Sequence, residues 1–118
     1  MAACLCAALL VPATASATYL TYTQAKNLAR RGQAQLCARE PACNDWQVRT
    51  CTRVKNDKFR CGVVETYGVQ PNLRRCKFNA VVELFPRSFR IRDGYNRCYN
   101  RHGELVAEGP ATEVRPVP

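Results

Sequence analysis

Six cysteines spread from Cys37 to Cys98 constrain this chain more than any other feature. The nearest two, Cys37 and Cys43, are too far apart in sequence for the Cys-x-x-Cys spacing of a redox centre or a zinc site. An even set at irregular spacing in a short chain is the mark of a disulfide framework, and a framework needs an oxidising compartment. Two further cysteines, Cys4 and Cys6, sit in the apolar run Ala2 to Val11. Pro12 and the small-x-small triplet Ala15-Ser16-Ala17 come after it. That order is expected of a secretory signal peptide over residues 1–17, although no Lys or Arg opens it. The run is too short to cross a bilayer, so no membrane span is expected. The protein is therefore expected to be secreted or extracytoplasmic.

The residues after Ala17 amount to a single domain. A total of 118 residues, 47% hydrophobic, supports one small core. Thr21-Tyr22-Thr23-Gln24 has the form of a capping box, with Thr21 as N-cap. Ala25, Leu28, Ala29, Gly32, Leu36 and Cys37 then recur at helical spacing, opposite Lys26, Asn27, Arg30 and Arg31. A helix from Thr21 to Arg39 is predicted, stopped by Pro41. Its apolar face is made of small residues, which suits close packing on a sheet rather than insertion into a membrane surface.

Beyond Pro41 the period changes from helical to alternating. Trp46, Val48, Thr50, Thr52 and Val54 alternate with Gln47, Arg49, Cys51, Arg53 and Lys55. Asn56-Asp57 marks a turn, and Phe59, Cys61 and Val63 continue the pattern on a return strand. Gly68 to Arg75 has loop composition. Cys76, Phe78, Ala80, Val82 and Leu84 share one face of a long strand that ends at Pro86. Phe89 and Ile91, then Tyr95 to Arg101, then Leu105 to Ala107 complete the strands, separated by Asp93-Gly94 and His102-Gly103. The expected fold class is α+β: one N-terminal helix packed on an antiparallel meander of four to five strands, disulfide-stapled. It spans residues 18–109, and the Pro-rich residues 110–118 are expected to form a loose tail.

This helix-then-sheet order resembles the cystatin-like and NTF2-like group, in which a sheet wraps an N-terminal helix. The segments Ala25 to Arg31, Arg49-Thr50-Cys51, Arg60-Cys61 and Arg75-Cys76 are also similar to small secreted actinobacterial proteins of unknown function. Gln47-Val48-Arg49 departs from the Gln-x-Val-x-Gly signature of protease-inhibiting cystatins, so the resemblance implies a fold and no inhibitory activity.

Fifteen pairings of six cysteines exist. Cys76 and Cys98 are equidistant from Arg87, which sets them opposite each other if Pro86-Arg87-Ser88 turns the chain. The alternation puts Cys51 outward and Cys61 inward, and a one-residue slip reverses a strand's faces. Cys37–Cys61, Cys43–Cys51 and Cys76–Cys98 is the favoured set. Cys37–Cys43 with Cys51–Cys61 is the alternative, and it requires a bulge or a different assignment of the strand faces.

Catalytic groups are scarce. His102 is the one histidine of the chain, and Ser88 is the one serine after residue 17; both fall in predicted turns. Glu65 and Glu83 are the acids a glycosidase-like pair would draw on, with Glu65 in an inward register. No glycine loop cradles a phosphate. The chain is expected to be no enzyme, with no catalytic residues, no cofactor and no metal.

Charge is what remains. The formal net charge is +9, and of the eighteen basic residues all but Arg115 precede residue 102. Residues 102–118 set Arg115 against Glu104, Glu108 and Glu113. Arginine outnumbers lysine more than three to one, favouring forked contact with phosphate or carboxylate. Alternation places Arg49, Arg53 and Lys55 together on one outer side, with Lys77, Arg90 and Arg92 on others. Arg60, Arg75 and Arg97 each precede a cysteine and point out if the cysteines point in. Tyr67, Tyr95 and Tyr99 stand among them. An anion-binding surface for a cell-wall polymer, glycan or nucleic acid is expected at Arg49, Arg53, Arg60, Arg75, Lys77, Arg90, Arg92 and Arg97. The alternative is a protein-binding or inhibitor module that uses the loop Gly68 to Arg75.

Overall fold

The computed structural model describes residues 19–110 and 114–117; the expected signal peptide lies outside them. Helix α1 runs Tyr22–Arg39 and opens on the capping box. The Gln24 amide donates to the Thr21 hydroxyl at 3.2 Å, and the Thr21 amide donates to Gln24 Oε1 at 3.0 Å. Two of the helix's orphan N–H groups are met in this way. At the other end the Glu40 N–H bonds back to the Cys37 carbonyl, and Pro41 ends the helix. Ala25, Leu28, Ala29, Gly32 and Gln33 form its buried stripe.

The sheet is antiparallel throughout. Strands β1 (Cys43–Lys55), β2 (Lys58–Tyr67) and β3 (Arg74–Phe85) form its long body, followed by β4 (Ser88–Asp93), β5 (Asn96–Asn100), β6 (Leu105–Gly109) and β7 (Val114–Val117). The order is β1-β2-β3-β4-β7, with β5 also on β3 and β6 on β5. The expected meander had four to five strands, and the described residues form seven. The reason is that β4 and β5 pair with successive halves of β3, and β6 and β7 pair with β5 and β4 in turn. Two positions in the sheet are each filled by two short strands. The second of these positions draws on the tail: residues 110–118 were expected to be loose, yet the backbone of Val114–Val117 adds an outer strand to β4. An edge strand supplies backbone partners to whatever extended segment reaches it, proline or not.

The inner face, under α1, carries Val48, Cys51, Phe59, Cys61, Val63, Phe78, Ala80, Val82 and Ile91, packed with Leu20 and the helix stripe. Cys51 reaches this face because β1 bulges. Val48 is opposite Val63 and Cys51 is opposite Cys61, so Arg49 and Thr50 together face the single residue Gly62. The bulge reverses the faces of Cys51, Thr52 and Arg53, and a second register shift before Lys55 ends the reversal. This overturns the expected Cys37–Cys61 and Cys43–Cys51 pairs. Cys51 is bonded to Cys61 directly across the strand pair, with Cα atoms 4.0 Å apart. Cys37 is left for Cys43 across the turn at Pro41, with Cα atoms 5.3 Å apart. Cys76–Cys98 forms as expected, also from directly opposed residues. Each bridge contributes about 2–4 kcal/mol by restricting the unfolded chain.

Candidate functional site

The face of the sheet turned away from α1 collects the basic residues. Its cross-strand rows are set by the register. Arg60, Val81 and Arg92 make one row across β2, β3 and β4. Val64, Lys77 and Arg97 make another across β2, β3 and β5, and Thr66, Arg75 and Tyr99 a third. Arg49 stands at the β1 end, at the bulge. Of the eight expected anion-binding residues, the structure brings Arg49, Arg60, Arg75, Lys77, Arg92 and Arg97 onto one exposed surface.

Two do not join them in the same way. Arg53 was expected beside Arg49 on the outer side, and the bulge turns it to the inner one. There its guanidinium stacks over both the Phe59 and Tyr19 rings at 4.4 Å. It also donates to the Leu20 carbonyl at 2.8 Å and the Asn56 carbonyl at 3.0 Å. Arg53 ties the start of the described chain to the β1–β2 hairpin, and that work occupies it. Arg90 lies on the outer face but at its far end, stacked over Phe85 at 4.3 Å and opposite Glu83 in the register. Tyr67, expected among the arginines, also faces inward: its hydroxyl donates to Glu65 Oε2.

Acidic groups reach the outer face in two ion pairs, Lys58–Glu83 and Arg97–Glu108, each 3.6 Å long and solvent-accessible. Exposed pairs of this kind contribute about 0–1 kcal/mol and yield to competing anions. Arg49, Arg60, Arg75 and Arg92 make no ion pair among the described residues. Two depressions adjoin on this surface. One, of about 340 Å³, is lined by Arg49, Gly62, Asn79, Tyr95, Arg97 and their neighbours. The other, of about 560 Å³, includes Arg75, Arg101 and Gln70. Lys77 and Tyr99 line both, and the Lys77 ammonium lies 5.7 Å from the Tyr99 ring centre.

The residues considered for catalysis are not brought together. Glu65 is 2% exposed on the inner face beside Trp46, whereas Glu83 pairs with Lys58 on the outer face. A single bond cannot lie between them. Ser88, expected in a turn, is the first residue of β4, and His102 occupies a turn near the opposite end of β3, whose residues Phe85 and Arg74 pair with Ser88 and Asn100. The His102 ring accepts a hydrogen bond from Arg101 Nε at 3.2 Å, in a turn held by Asn100 Oδ1. Among the described residues no cluster of His, Cys, Asp and Glu is arranged to hold a metal ion. No helix there is long and apolar enough to cross a membrane.

Gly62 and Asn79 line the first depression, although the sequence pattern singled out neither. The signal available for Gly62 was a lone glycine inside a strand pattern, which marks a bulge or a close approach. No family model, curated protein or solved structure matches the chain.

Proposed function

We propose that this chain is a secreted, disulfide-stapled module that binds an anionic polymer on the outer face of its sheet and performs no catalysis. The observation that carries this reading is the gathering of Arg49, Arg60, Arg75, Lys77, Arg92 and Arg97 on one exposed surface, opposite the face that builds the core. Arg49, Arg60, Arg75 and Arg92, which make no ion pair among the described residues, cost the fold self-repulsion, and a polyanion removes that cost on binding. Arginine forks grip phosphate, sulfate or carboxylate in two-point contacts. Three disulfides fit an oxidising, extracytoplasmic setting.

The test is retention on immobilised heparin or purified cell wall at roughly 50 mM salt, where counterion release favours binding most. Retention that falls steeply as salt rises is the expected result. Flow-through at that salt overturns the reading.

A second reading is favoured by one observation. Val69 is 72% exposed at the tip of the loop between β2 and β3. That loop is held at its base by the Gly68 N–H on the Ala42 carbonyl and by the Asn44 side-chain amide on the Gly68 carbonyl. A loop pinned at its base with an apolar tip suits a protein partner. Binding to a purified partner that ignores salt and is lost in Val69→Asp would support it.

A further inference from the structure

Two interruptions of the sheet fall on the same cross-strand row. On β1, Arg49 and Thr50 together oppose Gly62. On the other side, Ala80 pairs with Asp93 and Lys77 with Arg97, so Phe78 and Asn79 are matched by Gly94, Tyr95 and Asn96. The extra residue lies at Gly94-Tyr95, where the Gly94 N–H bonds the Asn79 carbonyl at 2.6 Å. The row Gly62–Asn79 thus runs between two bulges, one at each end. A bulge bends its strand and re-aims the side chains around it.

The same row carries no bulky side chain. Gly62 has none, and Asn79 presents a short amide to solvent. Lys77 and Arg97 line one bank of the depression over this row, and the row Arg60–Val81–Arg92 follows on the other side without lining that depression. Lys77 and Val81 are four residues apart along β3, roughly 13 Å at the strand rise. Tyr95 closes one end with its ring half exposed and the Arg97 guanidinium 5.2 Å from the ring centre; Arg49 closes the other. The result is a depression across the strands with a polar floor, one cationic bank, a cation at one end and an aromatic wall at the other.

We infer that this depression seats one acidic sugar residue, a pyranose bearing carboxylate or sulfate, of an anionic polysaccharide. This rests on the polyanion reading above and narrows it. The flat Gly62 backbone lets a ring approach the sheet. The Asn79 amide offers a donor and an acceptor to ring hydroxyls. The C–H face of the sugar lies against Tyr95, and the fork of Arg97 beside that ring takes the acidic substituent. A single-stranded nucleic acid fits less well. It draws affinity from successive aromatic platforms along a groove, whereas Tyr95 and Tyr99 stand together at one end here.

The test fills the depression without changing charge. At Gly62 an added Cβ would lie 3.6 Å from the Arg49 Cβ, an ordinary contact, and a β-branched residue suits a strand. Gly62→Val is therefore compared with the unaltered chain by calorimetry against a heparin hexasaccharide, inorganic polyphosphate and an oligothymidylate. The expected result is a loss of roughly ten-fold or more for the hexasaccharide, with polyphosphate affinity and its salt slope unchanged. Tyr95→Ala, at an exposed position, is expected to do the same and decides the matter if Gly62→Val does not fold. Equal weakening of all three probes, or none, overturns the sugar site while leaving the polyanion reading in place. A loss confined to the oligothymidylate transfers the depression to nucleic acid and also overturns the sugar site. Failure of the unaltered chain to bind any of the three overturns both.

Discussion

The two faces of one sheet put arginine to opposite uses. On the inner face Arg53 lies between the Tyr19 and Phe59 rings and bonds the carbonyls of Leu20 and Asn56. On the outer face Arg60 and Arg92 flank Val81 and make no ion pair among the described residues. The residue type is the same and the strands are the same. The difference is whether a buried ring and carbonyl oxygens open to a further donor lie within reach. Where they do, the guanidinium becomes part of the packing. Where they do not, its charge is available to a partner. A tally of basic residues cannot make this distinction, because it weights every arginine alike.

That contrast can be broken by experiment, and the largest effect belongs to the inner face. Phe59, 2% exposed beneath Arg53, is expected to cost about 3–5 kcal/mol as Phe59→Ala, from lost burial and the cavity left behind. Denaturant titration would show this as a midpoint shift at constant slope. Arg53→Ala is expected to cost less, about 1–2 kcal/mol, because its outer side is solvated and only the ring stacking and charged hydrogen bonds are lost. Arg53→Lys should recover little of it, since an ammonium lacks the flat fork that spans two carbonyls. A melt of Arg53→Ala unchanged from the parent would show that the inner arginine is as idle as the outer ones.

The outer face predicts the reverse signature. Arg60→Ala with Arg92→Ala is expected to leave stability within about 0.5 kcal/mol. In the same variant the slope of log affinity against log salt on heparin should fall by roughly one for each cation removed. Destabilisation instead of weakened binding would merge the two faces into one structural role. The smallest effect concerns Glu108, which holds Arg97 at 3.6 Å in an exposed pair. Glu108→Gln should change stability by under about 0.5 kcal/mol and slightly delay elution from heparin, by freeing Arg97 and removing a negative charge. Earlier elution would mean that the pair positions Arg97 for the ligand rather than competing with it.

Local chemistry made part of this legible in advance. The capping box at Thr21 and Gln24 and the stop at Pro41 placed the helix, because caps and breakers act within one turn of chain. Alternation placed the three long strands and their inner residues from Phe59 to Val82, since a half-buried strand must repeat every second position. Glu65 kept to the inward register, and it is buried. Three features were not legible for a common reason. The bulge at Arg49-Thr50, the break at Gly94-Tyr95 and the addition of Val114–Val117 to β4 each depend on what the neighbouring strand offers, and no single strand's pattern contains that. From the first came the misplaced Arg53 and the favoured but wrong Cys37–Cys61 and Cys43–Cys51 bridges. From the first two together came the depression over Gly62 and Asn79.

The sequence by itself determined a helix of small residues on an antiparallel sheet, an even set of cysteines for a disulfide framework and an excess of arginine. These come from composition, spacing and short-range periodicity, which the chain carries wherever it goes. Tertiary structure decided which cysteines meet and which arginines are occupied by the fold. One residue inserted into a strand reverses the side chains that follow it, and only the register against its partner says where that insertion falls.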